Sequence, residues 1–180
     1  MVLVEGISDL RAVEALAARS GRDLVAERIC VVSIGGAKNI GSYLERFGPR
    51  GLGVELAGLC DAREARDFAR GLERAGFGAG VDRASMEALG FFVCDEDLED
   101  ELIRALGVDR VLEVIDAQGE QAAYRTFQAQ PAQQAKSETR RLRRFMGTRS
   151  GRKERYASLL VDALDANVVP RPLARLLERF

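Results

Sequence analysis

Apolar and polar positions change rhythm several times along the chain. Val2-Leu3-Val4 is a short apolar run that stops at Glu5-Gly6 and predicts a buried strand. From Ser8 to Arg19, Leu10, Val13, Leu16 and Ala17 recur at helical spacing, with Ser8 or Asp9 as the cap. Ile29-Cys30-Val31-Val32-Ser33-Ile34 is a continuous apolar run closed by Gly35-Gly36, and Asn39 to Phe47 reads as a second helix. Val54 to Cys60 predicts a third strand, halted at Asp61, and Ala62 to Ala75 a third helix stopped by Gly76. Gly90-Phe91-Phe92-Val93-Cys94 predicts a fourth strand, followed by acids and another helix.

Strands alternating with helices imply βαβ units joined by right-handed crossovers. The expected fold class is therefore α/β: a Rossmann-like, mainly parallel four-stranded sheet flanked by helices. From about Glu99 to Phe180 the pattern is helical, which predicts a helical C-terminal extension. Within it, Gln128 to Ser137 reads as a linker or mobile loop, Thr139 to Met146 as a short basic helix and Gly147 to Gly151 as a turn. Arg152 to Leu164 predicts a helix whose core face is Tyr156, Leu159, Leu160 and Leu164, and Pro170 and Pro172 introduce a terminal helix.

Composition narrows the chemistry. At 180 residues, 47% hydrophobic and 31% charged, the chain suits one domain, or one with a small appendage. No apolar run is long enough for a membrane helix, and the N-terminus lacks the pattern of a secretion signal. Histidine is absent, which excludes His-based triads and His metal sites. Cys30, Cys60 and Cys94 fit no CxxC zinc spacing and read as small buried hydrophobes, so a reduced, cytoplasmic protein is expected. The net charge of −1 hides an asymmetry: six acids fall in the seven positions 95–101, and eight bases in the sixteen positions 140–155.

Ligands of open α/β sheets sit beyond the carboxyl ends of the strands. Three predicted strands end there in acids: Glu5, Asp61 and the run from Asp95. Glu5 and Asp9, four apart across Gly6, either share a hard divalent cation or are a solvated strand end and a helix-favouring acid. Asp61 alone reads equally as a helix cap. Asp95, Asp97 and Glu99, at alternate positions, either gather a cation or form an acidic, solvated helix start. The basic run Arg149-Ser150-Gly151-Arg152-Lys153-Glu154-Arg155 either holds a phosphate or is surface charge. Gly35-Gly36-Ala37-Lys38-Asn39 is a plain tight turn or a phosphate cradle, but no GxxxxGK followed by Ser or Thr occurs, so no ATP site is expected.

The start Leu3-Val4-Glu5-Gly6-Ile7-Ser8-Asp9, the Gly35-Gly36 turn and the later strand-end aspartates together resemble a TOPRIM domain. The resemblance is closer to the TOPRIM nuclease half of OLD-family endonucleases and covers roughly residues 2 to 165. It implies metal ligation by Glu5, Asp9, Asp61, Asp95, Asp97 and Glu99, with Glu5 and Lys153 as catalytic residues. It also implies a TOPRIM core over residues 1–107 and an extension over 108–180, packed on the same domain, that supplies Lys153. Where the TOPRIM third strand usually carries Asp-x-Asp, Arg63 stands two positions after Asp61, which sets the chain apart from topoisomerases and primases. The ATPase half of OLD proteins has no counterpart in this sequence, so a stand-alone nuclease with a separate ATPase partner is expected, a homodimer being left open.

Two expectations follow. In the first, the chain cuts DNA phosphodiester bonds with two Mg²⁺ or Mn²⁺ ions per site, Lys153 stabilising the phosphate in flight. Arg140, Arg141, Arg143, Arg144, Arg149 and Arg152 would then grip the nucleic-acid backbone. In the second, it is a non-catalytic nucleic-acid-binding or regulatory module; an RNA-processing nuclease is a variant of the first.

Overall fold

The computed structural model describes residues 1–165 and 167–179. At its centre are β1 (Val2–Val4), β2 (Val31–Ser33), β3 (Ala57–Asp61) and β4 (Phe91–Cys94), all parallel and in the order β2-β1-β3-β4 among the described residues. Leu3 pairs with Val32 on one side and Gly58 on the other, and Leu59 pairs with Phe92. β1 and β4 are buried along their whole length, as expected when helices cover both faces of a parallel sheet.

Strand alternation sorts the core into two layers. Val2, Val4, Leu59 and Phe92 face one layer, and Leu3, Cys60, Phe91 and Val93 the other. The second layer is closed by α2 (Ile40–Phe47), α3 (Ala65–Ala75) and α4 (Arg83–Ala88) through Ile40, Leu44, Phe68, Leu72 and Met86. The first is closed by α1 (Ile7–Arg19) and by helices from the second half of the chain. These are α5 (Leu98–Leu106), α6 (Val108–Ala117), α7 (Gln121–Gln128), α9 (Glu138–Met146), α10 (Arg152–Ala163) and α11 (Arg171–Glu178), while the short α8 (Pro131–Gln134) packs on α7. α10 packs along α1, and the Arg19 guanidinium donates to the Asp162 and Leu164 carbonyls at its far end.

Gly58 lets β3 approach its neighbours closely. A Cβ there would stand 2.7 Å from the Phe91 ring and 2.8 Å from the Leu3 carbonyl oxygen, so no larger residue fits without displacement.

The strands are shorter than their apolar runs: Val54–Leu56 precede the third ladder, and the following helix begins at Ala65 rather than Ala62. α4 was not expected, because residues 83–88 carry no apolar stripe long enough to set a helical period. The segment 128–137 is not simply a linker: Pro131 starts the short α8, and Gln133 is buried. Cys60 and Cys94 are buried at strand ends as expected, whereas Cys30 is exposed at the sheet edge.

Candidate functional site

β1 lies between β2 and β3, so the crossover from β1 leaves on one side of the sheet centre and the chain returns on the other. This switch point opens a crevice at the carboxyl ends of β1 and β3. Glu5 follows β1 directly, and Asp61 is the last residue of β3. Gly36, at φ 111°, turns the chain after β2 so that its N–H donates to the Glu5 carbonyl at 3.0 Å. Gly6 opens α1, and its N–H donates to Asp9 Oδ2 at 2.8 Å, which orients the buried Asp9 carboxylate at the helix start.

Asp97 is the N-cap of α5, its Oδ1 accepting from Asp100 N at 2.9 Å. Glu99 lies in the first turn and is only 2% exposed. Its Oε2 is 3.0 Å from Lys153 Nζ at the start of α10. Among the described residues, Glu99 Oε1 and Glu5 Oε2 are buried without a hydrogen-bond partner.

The acids at these strand ends feel one another. Burial pushes the Asp61 carboxyl up to about 8, reinforced by the charges of Asp9, Glu5, Asp97 and Glu99. Burial raises Glu99 to about 7, with Lys153 opposing and Asp97 adding to the rise. Glu5 is raised by burial and then by Glu64 and Asp9, and Asp9 by burial against the pull of the Gly6 N–H and Lys153. Lys153 is partly desolvated, yet Glu99, Asp9 and Asp61 hold its ammonium above the ordinary lysine range.

Five of the expected ligands (Glu5, Asp9, Asp61, Asp97 and Glu99) and Lys153 therefore lie along one edge of the sheet, near enough to shift one another's charge. Asp95 does not join them. It lies on the surface, 3.0 Å from Arg83 and 3.4 Å from Arg104, and the Arg83 hydrogen bond holds its carboxyl below the usual range. β4 ends at Cys94 and Asp97 caps a helix, so the three acids do not share one extended face. Glu64, three residues after Asp61, joins the cluster without having been anticipated, whereas the buried Glu101 sits with Asp95 and Arg104, its Oε1 accepting from Asp95 N at 2.8 Å and lying 2.9 Å from Arg104.

The arginines also divide. Arg143 Nε is 2.5 Å from Asp97 Oδ2, with its NH1 3.4 Å from Glu96. Arg141 is paired with Glu138, which also accepts from the Tyr124 hydroxyl. Arg152, expected on the nucleic-acid surface, is instead 5% exposed. Its guanidinium lies 4.0 Å over the Phe145 ring and donates to Phe145 O, Thr148 Oγ1 and Glu120 at 3.1, 2.7 and 3.2 Å. It is a core residue because its helix phase matches that of buried Tyr156 and Leu160. Arg149 is exposed, 4.0 Å from Glu120. Arg140 and Arg144 line a cavity of about 370 Å³ beside Asp97, Glu99 and Lys153.

The donor set is all oxygen and suits a hard divalent cation. Orphaned oxygens on Glu5 and Glu99, and carboxyls pushed up by mutual repulsion, are what a cation would relieve. Among the described residues no three acids or cysteines converge as a ready-made metal cage.

Residues 1–62 match the family model described as "Overcoming lysogenization defect protein-like, TOPRIM domain". The chain is similar to a structure of the C-terminal region of the Xanthomonas campestris pv. campestris OLD protein, at 26% identity and TM-score 0.70 over 98% of this chain and 91% of that one. It is also similar in fold to the C-terminal region of the Burkholderia pseudomallei OLD protein, at 24% identity and TM-score 0.76 over 98% and 94% of the two chains. No curated protein matches the sequence. Among the described residues, no helix is long and apolar enough to cross a membrane. With the four-stranded parallel sheet and the acids at its switch point, these likenesses give the chain a TOPRIM-like α/β fold, similar over its length to the C-terminal region of OLD proteins.

Proposed function

We propose that the chain is a metal-dependent phosphodiesterase that cuts DNA. The observation that carries this reading is the meeting of Lys153, from α10, with Glu99 and the strand-end acids Glu5, Asp9, Asp61 and Asp97. These acids would hold Mg²⁺ or Mn²⁺, one ion or two; Asp95, already held by two arginines, is left out of the set. Bound there, the cations supply a Lewis acid for a phosphoryl oxygen and a more acidic water.

The chain's own residues supply the rest. Lys153 is half exposed, and Glu99 fixes its ammonium where an anionic phosphate would enter. With no histidine in the sequence, no imidazole serves proton transfer, and Glu99, pushed up to about 7 by burial in the metal-free chain, would hold a cation only once deprotonated. The Gly6 N–H keeps the Asp9 carboxylate aimed. In this reading residues 108–180 work with 1–107 as one unit, since Lys153 comes from the later part. The known structures that the chain resembles are C-terminal regions of larger proteins, so an ATPase partner remains part of the proposal.

A second reading has its own support. Asp97 and Glu99 are already paired with Arg143 and Lys153, as in a neutralised cluster that binds nucleic acid without cutting it. Incubating supercoiled plasmid with the purified chain in Mg²⁺, Mn²⁺ or EDTA separates the two. Metal-dependent nicking that disappears in Glu5→Ala and Lys153→Ala is expected. Equal nicking in both variants would overturn the site, and DNA retention without cutting in any metal would favour the binding module.

A further inference from the structure

α9 sorts its basic residues by face. Arg141 and Arg143 turn inward and are paired with Glu138 and Asp97. Arg140 and Arg144 are exposed, and neither has an ion-pair partner among the described residues. Both line the cavity of about 370 Å³ that also touches Lys153, and Lys136, just before α9, lines it too. Lys136 Nζ is held 2.9 Å from Gln133 Oε1, a buried amide of α8, so this ammonium is aimed rather than free. The cavity's acids, Glu96, Asp97 and Glu99, are each within reach of Arg63, Arg143 or Lys153, leaving the charge of Lys136, Arg140 and Arg144 uncompensated.

Unpaired cations repel one another, and a wall of them beside the candidate site is stabilised by an anion with several charges. Arg140 and Arg144 stand one helical turn apart, about 6 Å along the axis, on one face. That separation presents two forks to successive phosphates of one strand rather than to a single small anion.

We infer that Lys136, Arg140 and Arg144 form a seat for the DNA backbone flanking the bond at Lys153, and that Arg141, Arg143 and Arg152 take no part in it. This rests on the phosphodiesterase reading for its location but not for its test. Each phosphate contact adds about −0.9 to the slope of log K against log salt, so two contacts are worth about 60-fold in affinity at 0.1 M relative to 1 M salt.

The experiment is fluorescence anisotropy of a labelled 20-base-pair DNA duplex in EDTA, across a salt series. The Arg140→Gln/Arg144→Gln chain is compared with the parent and with Arg110→Gln, which removes an arginine paired with Glu113 elsewhere on the surface. The expected result is a slope about two units shallower and binding weaker by tens of fold at 0.1 M salt, with Arg110→Gln and all melting curves like the parent. An unchanged slope, no binding by the parent, or loss confined to an RNA duplex of the same sequence would overturn the seat. If the slope falls but the parent nicks no plasmid, the seat stands and the nuclease reading fails. If the parent nicks and the double variant binds and nicks as well, the seat fails and that reading stands.

Discussion

Lys153 Nζ stands 3.0 Å from Glu99 Oε2, and the carboxylate it meets keeps only 3% of its side-chain surface in water. This pair joins α10 to α5 across the site. Removing the lysine strands a buried acid, whereas removing both charges does not. Because Lys153 is itself half exposed, Lys153→Ala is expected to cost only about 1–3 kcal/mol at pH 8 in urea denaturation. The Lys153→Ala/Glu99→Gln double variant should recover most of that loss. A double variant as unstable as the sum of the singles would show that the pair is not coupled.

Stability without metal should fall as the pH rises from about 5 to 8. Asp61 and Glu99 keep their protons up to about 8 and about 7 in the folded chain, but lose them near the ordinary carboxylate range when unfolded. Over that interval the folded state binds more protons than the unfolded one, so raising the pH favours unfolding. In EDTA the Tm should drop by a few degrees, at about 2–4 °C per kcal/mol for a chain of this size. Mg²⁺ should restore more at pH 8 than at pH 5, where protons compete for the same oxygens. A Tm in EDTA that rises with pH would contradict this account.

Arg143 competes with any cation for Asp97 Oδ2. Arg143→Gln should therefore raise Mn²⁺ affinity about fivefold in calorimetric titration, the equivalent of ~1 kcal/mol for a partly exposed pair. Asp97→Ala should lose both metal binding and cutting while the chain stays folded. An unchanged Mn²⁺ affinity in Arg143→Gln would mean that Asp97 does not serve the metal.

Arg152→Ala should lower unfolding free energy by about 1–3 kcal/mol, because it removes a buried guanidinium that packs on the Phe145 ring and ties Phe145 O and Thr148 Oγ1 to Glu120, although Thr148 and Tyr156 still donate to two of these acceptors. The slope of DNA affinity against salt should stay the same, which a backbone-gripping arginine would not allow.

Gly58→Ala should destabilise by about 1–3 kcal/mol through overpacking against Phe91 and the Leu3 carbonyl. Chemical denaturation measures it, and a neutral effect would mean that β3 and β4 can separate slightly at no cost.

The alternation of strands and helices was legible because parallel strands buried on both faces are apolar throughout, as in Val2–Val4 and Phe91–Cys94. Glu5, Asp9 and Asp61 were legible for a related reason: a switch point gathers whatever follows the central strands. Lys153 was legible as part of a basic run, but its place beside the acids came only through the family resemblance, since nothing local ties it to Glu99, 54 positions away. Asp95 stands apart because β4 ends at Cys94 and Asp97 caps a helix, one of the two arrangements the sequence allows. Arg152 was misplaced although the signal was present, since the period that put Tyr156 and Leu160 in the core also includes position 152. Glu64 and the Arg143–Asp97 pair had no such signal; they depend on how α3 and α9 dock.

The packing of α10 along α1 also bears on the order of events as the chain emerges from the ribosome. Arg19 reaches the Asp162 carbonyl across 143 positions, so this contact waits for nearly the whole chain. Such distant closures are slow steps in folding. The four strands and their acids can collapse early, but Lys153 arrives only when the last helices dock. A nascent or partly opened chain would thus hold a crowd of repelling carboxylates without their lysine, and completion of the fold and completion of the site would be one event.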